Sequence, residues 1–189
     1  QWRIRLWDEN DQPGAWSKAD FETGLAQSDW QGVWVCPETE APDIDCTDAI
    51  NAFAKPNWEQ KQAALEASGK GQAQPYPPHR PASYLRKRFT APAGESKRLY
   101  ITAKGLYAAW LNGKRVGDMV LAPGSFTADK HLGAQTYDVT ALVREGENEL
   151  LIALGDGWYR STSGVDGDRD LFGKEVAVLF QLEVDGKAV

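Results

Sequence analysis

From residue 84 to residue 184 the sequence runs as short β-type segments, each closed by turn residues, and that rhythm leaves few folds open. Residues 84–90, 98–103 and 106–111 have strand length and are rich in aromatic and aliphatic side chains. Asn112-Gly113 follows, a pair suited to the two positive φ angles of a tight hairpin, and Lys114-Arg115-Val116 begins the return strand. Further strands are predicted at 135–139, 149–154 and 176–184. Between the first two of these, Asp138-Val139-Thr140 precedes a predicted helical turn over 141–145, stopped by Gly146. There is no alternation of strands with helices and no internal repeat. The pattern predicts an all-β chain, an antiparallel jelly-roll β-sandwich.

The preceding residues differ in character. In Trp2-Arg3-Ile4-Arg5-Leu6-Trp7 the apolar positions Trp2, Ile4 and Leu6 alternate with two arginines, the period of a half-buried strand. Residues 8–14 are turn chemistry, and a second extended stretch is expected around Phe21. Two strands cannot bury a sheet face alone, so this pair is expected to belong to an incomplete β module whose other strands lie elsewhere. The chain also begins at Gln1 rather than Met, as a processed or excised polypeptide would. Residues 38–80 are rich in Ala, Pro, Gln and acids. One short inserted helix is predicted over 57–67, with Asn57 as its cap, Gln60 in the capping-box position and Gly69 beyond its end. Pro75, Pro77, Pro78 and Pro81 then force an extended path. The expected organisation is thus terminal strands of a preceding module at 1–30, connector and insertion at 31–81, and the sandwich at 82–189.

Charge and composition exclude several functions. The net charge is −6 and no basic run tracks a phosphate backbone, which argues against nucleic-acid binding. No apolar stretch approaches the roughly 18 residues of a membrane helix. Cys36 and Cys46 are spaced for a local disulfide, which would suit a periplasmic or secreted protein over a cytoplasmic one; two free thiols are equally compatible. With no third cysteine, and only His79 and His131, a zinc site is not expected.

No enzyme signature stands out. Glycoside hydrolysis needs two carboxylates roughly 5–9.5 Å apart across a sugar bond. Asp118, Asp129, Glu145, Glu147 and Asp185 instead occupy turns, where solvation explains them. Among candidate binding segments, Gly155-Asp156-Gly157-Trp158-Tyr159-Arg160 is the richest. It is expected to be a tight loop setting Asp156, Trp158, Tyr159 and Arg160 side by side, a kit for stacking on a sugar and bonding its hydroxyls. The competing reading has Trp158 and Tyr159 plugging one end of the sandwich or a contact with another domain. Asp166, Asp168 and Asp170 alternate as in a calcium loop, but Leu171 replaces the required glycine and Ala177 the closing Glu, so only a looser calcium site is compatible.

Taken in order, these motifs resemble the amino-terminal β-sandwich of bacterial α-L-rhamnosidases. The resemblance is carried by residues 84–89, Gly105-Leu106-Tyr107, 111–118, 120–124, 135–140, 145–148 and 155–159. Trp7-Asp8, Trp16-Ser17 and residues 21–25 are similar to the end of the fibronectin-like module that often precedes it. The resemblance implies a non-catalytic accessory domain in front of an (α/α)6 barrel that holds two catalytic glutamates and inverts the sugar. It also implies a partner, that catalytic domain, in the same parent chain. No cofactor is required. In some relatives a similar jelly roll binds terminal L-rhamnose with calcium; on that pattern Asn112 and Asp156 would be polar contacts for rhamnose-terminated glycans. The sequence departs from the family at Ser125 and Ala128, where rings are usual, and at Ala134, where Tyr is common, with Phe126 as partial compensation. An accessory sandwich of another glycosidase is the remaining alternative.

Overall fold

The computed structural model describes residues 1–40, 80–161 and 170–189, with positions 60, 63, 66, 67 and 69 between them. They divide into two compact units, Gln1–Trp30 and Gln31–Val189.

In the first unit β1 (Trp2–Ile4) pairs antiparallel with β2 (Ser17–Ala19), Ile4 lying opposite Ser17 and Trp2 opposite Ala19. The second strand thus precedes the expected position at Phe21, which is exposed and in no strand. The turn explains the shift. The Asp8 carboxylate accepts hydrogen bonds from the backbone N–H of Asn10 (2.9 Å) and Gln12 (2.8 Å), and Gly14 N–H donates to Leu6 C=O (2.9 Å). Closing the turn there sets the register of the return strand. No residue of this unit is buried. Trp2, Ile4, Leu6, Trp7 and Trp16 remain exposed, with the Arg3 guanidinium 4.9 Å over Trp16 and that of Arg5 5.6 Å over Trp7.

The second unit is an all-β sandwich of two four-stranded antiparallel sheets. Its strands are β3 (Ser83–Ala91), β4 (Lys97–Lys104), β5 (Leu106–Leu111), β6 (Lys114–Arg115), β7 (Gln135–Asp138), β8 (Gly146–Gly155), β9 (Ala177–Val184) and β10 (Lys187–Ala188). The sheet orders are β3-β8-β5-β6 and β10-β9-β4-β7. One core joins them: Leu99, Ile101, Ala103, Val178 and Leu182 from one sheet meet Tyr107, Leu111, Leu150, Ile152 and Leu154 from the other. At the β5–β6 hairpin Asn112 and Gly113 take φ of 51° and 79°, as the Asn-Gly pair predicts. Asp185-Gly186, with φ of 49° and 74°, makes a second such turn and adds β10, which the sequence reading missed.

Two expectations change in this unit. The predicted helical turn at 141–145 is a non-helical turn. Val139 C=O accepts from the N–H groups of Leu142 (2.9 Å) and Val143 (3.0 Å), but side chains take over from there. Asn112 Nδ2 donates to Leu142 C=O, and Arg144 N–H donates to the Asn148 side chain, so the backbone is satisfied without helix. Strand β8 accordingly starts at Gly146, opposite Ala91, three residues before its expected beginning. The segment after Trp30 is stitched to the second sheet. Val35 exchanges backbone hydrogen bonds with Val178, both 2.9 Å, and Gln31 N–H donates to Gln181 Oε1 at 2.6 Å. Of the inserted helix, residues 60, 63, 66 and 67 are helical; its expected cap, Asn57, and also Cys46 lie outside the described residues, while Cys36 is exposed.

Ile101 is completely buried where the two sheets meet. Its replacement by Ala should lower unfolding free energy by about 3 kcal/mol, read from denaturant titration, because a core site on a paired strand relaxes little around the lost methyls.

Candidate functional site

Strand β8 ends at Gly155, opposite the first residue of β5, Leu106. The following residues form a single helical turn, Gly157–Arg160, rather than the expected loop. Arg160 N–H reaches back to Asp156 C=O (3.3 Å) and Ser161 N–H to Gly157 C=O (3.1 Å). Gly157 has φ 51°, and a Cβ there would lie 2.4 Å from Leu106 Cγ, so packing against β5 requires the glycine.

Helical winding rotates successive side chains by about 100° and separates the two aromatics. Trp158 is 39% exposed. Tyr159 turns inward and is half-buried, its ring centroid 6.4 Å from that of Phe172 and its hydroxyl close against Gly173. Burial first, and the nearby Glu175 carboxylate second, raise the Tyr159 pKa above its ordinary value. The recess bordered by Trp158, Tyr159, Phe126 and Ala128 holds only about 10 Å³, room for one water and not for a sugar ring. Only Trp158 faces outward; the expected exposed pair is absent.

Arg160 is buried, 4% exposed, and its guanidinium makes four hydrogen bonds within the fold. Nε donates to Asp156 Oδ1 at 2.8 Å and Nη2 to the same oxygen at 2.5 Å. Nη1 donates to Glu40 Oε1 at 2.6 Å and to Lys174 C=O at 2.9 Å. Burial alone would lower its proton affinity, but hydrogen bonds to the Asp156 and Glu40 carboxylates outweigh that and raise the pKa. Arg80 Nη1 stands 3.7 Å from Asp156 Oδ2 and 3.8 Å from Asp170 Oδ1. Asp170, with φ 55°, also donates its N–H to Arg160 C=O. The Asp156–Arg160 pair thus holds together Glu40, Arg80 and Asp170. Asp166 and Asp168 lie outside the described residues. Among the described residues no three metal-binding side chains cluster.

Asn112 lies elsewhere. Leu106 pairs with Gly155 and Leu111 with Leu150, so Asn112 sits at the opposite end of β5, roughly 17 Å or more from Asp156 at strand rise. Its amide is used by the fold: Nδ2 donates to Leu142 C=O (2.9 Å) and to Asn148 Oδ1 (2.8 Å), and Oδ1 accepts from Glu149 N–H (3.0 Å). Around it an open polar hollow of about 470 Å³ is lined by Arg88, Arg144, Asn148 and Glu149, a feature sequence reading did not find because residues far apart in the chain make it. A cleft of about 250 Å³ between the sheets is apolar, with Lys87 as its only charged side chain. The polar hollow also carries two carboxylates, Glu147 and Glu149, the latter ion-paired with Arg86 and Arg88.

The geometry defines a β-sandwich whose polar residues mainly serve its own fold. Comparison with known proteins makes the assignment specific: residues 93–188 match the family described as the α-L-rhamnosidase N-terminal domain, and the chain belongs to that family. It is similar to an α-L-rhamnosidase of Formosa agariphila, 31% identical over 86% of this chain and 15% of that protein. An α-L-rhamnosidase of Streptomyces avermitilis is 45% identical over 55% of this chain and 10% of its own length. The crystal structure of native α-L-rhamnosidase from Aspergillus terreus superposes with a TM-score of 0.70 at 29% identity, covering 99% of this chain and 19% of that one. The chain therefore spans between a tenth and a fifth of these larger relatives.

Asp156→Asn would leave buried Arg160 with one carboxylate in place of two. Stability should fall by about 3 kcal/mol, measured by denaturant unfolding, as expected on removing one member of a buried ion pair.

Proposed function

We propose that this chain is a non-catalytic accessory domain of an α-L-rhamnosidase, packing on the catalytic domain of the same polypeptide and shaping access to it. One observation carries this reading: the half-buried acid of the candidate site, Asp156, is spent on Arg160, and its neighbours Glu40 and Asp170 face Arg160 and Arg80, so arginines engage the carboxylates that a glycosidic bond would need. The relatives support it, because in each of those compared this region is a small part of a much longer rhamnosidase. The catalytic carboxylates then belong to the rest of the parent protein, and inversion at terminal α-L-rhamnose is that protein's reaction.

A second reading, a rhamnose-binding module with or without calcium, is favoured by the exposed indole of Trp158. Against it stand the small recess that the described residues leave beside that ring and the use of Arg160 and Asn112 in structural bonds.

The purified chain should release no product from an aryl α-L-rhamnoside. Sustained turnover that disappears when a single Glu or Asp is replaced would defeat the accessory reading. Calorimetric titration with L-rhamnose, with and without calcium, should show no saturable heat; binding abolished by Trp158→Ala would establish the lectin-like alternative.

A further inference from the structure

A sheet covered on one face alternates apolar and polar side chains, while one covered on both reads as a continuous apolar run. Strand β4 alternates: Leu99, Ile101 and Ala103 enter the core, and Arg98, Tyr100, Thr102 and Lys104 take the other face. Strands β5 and β8 do not. Leu106-Tyr107-Ala108-Ala109-Trp110-Leu111 and Leu150-Leu151-Ile152-Ala153-Leu154 are apolar throughout. Alternate members of each run fill the core; Leu106, Ala108, Trp110, Leu151 and Ala153 lie on the opposite, outer face and are only half-buried. Register aligns them into rows across the sheet. Trp110 lies beside Leu151 and Leu151 beside Arg86, while Ala108 lies beside Ala153 and Ala153 beside Tyr84, itself 70% exposed.

The rim of this face has a sign. Arg86, Arg88 and Arg115 border it against two acids, Glu147 and Glu149, the latter 3.4 Å from Arg86 Nε and 3.5 Å from Arg88 Nε, so the rim is net positive. This positive rim belongs to a chain whose net charge is −6. A second copy of the chain docked face to face would bring a second net-positive rim to the same interface, because a two-fold contact uses the same patch on both subunits. A carboxylate-rimmed apolar surface fits instead.

Building on the accessory-domain reading, we infer that the outer face of β3-β8-β5 is the surface that docks the catalytic body of the parent protein, through an apolar patch ringed by carboxylates. The relatives supply the material, since 85% of the Formosa agariphila enzyme lies outside its match to this chain, by subtraction of the matched 15%.

The test uses the parent protein with Cys36 and Cys46 replaced by Ser, carrying either Tyr84→Cys on this face or Lys130→Cys as an exposed control. Maleimide should label the Tyr84→Cys thiol at least about tenfold more slowly than the control thiol, because a covered site reacts only through opening. Adding Arg86→Glu, Arg88→Glu and Arg115→Glu should remove that protection. Equal labelling of the two thiols overturns the inference. A protease site cut between this region and the remainder separates it from the underlying reading. If the pieces fall apart, both fail; if they stay associated while Tyr84→Cys labels freely, the accessory role stands and this surface is wrong.

Discussion

Strand β8 is hydrogen-bonded along its length, to β3 on one side and to β5 over its second half on the other, and the registers of those two ladders decide where the other features lie. They place Leu150, Ile152 and Leu154 in the shared core, and Leu151 and Ala153 on the outer face. They also put Asn112 and Asp156 at opposite ends of β5. A slip of one residue would exchange the two faces of β8. It would turn Glu147 and Glu149 of β8 towards the core, just as a slip of β3 would turn Arg86 and Arg88 inward. Charged residues on both strands therefore specify the register.

The ends of the sandwich are closed by side chains acting as backbone partners. At one end Asn148, 4% exposed, accepts from Arg144 N–H and Asn112 Nδ2 and donates to the carbonyls of Arg144 and Gly146. At the other, Arg160 joins Asp156, Glu40 and Lys174 C=O. Both clusters use the residue types that sugar sites use, planar amides, guanidinium and carboxylate. What separates structural from binding use is spare capacity. An amide whose two N–H groups and carbonyl oxygen are already bonded, as in Asn112, has little left to offer a hydroxyl without breaking the turn it holds.

Much of the sandwich was legible because its signals are local. The Asn112-Gly113 turn and the alternation in β4 each lie within a few residues, and β5 matches its expected span residue for residue. Asp185-Gly186 carried the same hairpin signature as Asn112-Gly113 and was readable in principle. The helical turn at Gly157–Arg160 was harder: it is four residues long and starts with glycine, so composition reads as loop, and it is held by contacts to Leu106, Glu40 and Lys174. The excess helix at 141–145 is the reverse case, a local capping pattern overruled by Asn112 and Asn148. The Arg160–Glu40 pairing is illegible in sequence because the two residues stand 120 positions apart, beyond any sequence window.

The same reasoning gives meaning to where the fold departs from the economy of a solvated sheet. Outward apolar side chains on β5 and β8 gain nothing for a sandwich standing alone in water, since exposed apolar area contributes no burial free energy and invites association. Such positions accept charged side chains, as β4 illustrates with Arg98 and Lys104. Retaining Trp110, Leu151 and Ala153 across two paired strands makes sense when their burial is completed by another surface. Trp158 follows the Gly157 that packs on Leu106, and its indole borders the small recess at the sandwich end with Phe126, Tyr159 and Phe172 instead of entering the outer apolar rows.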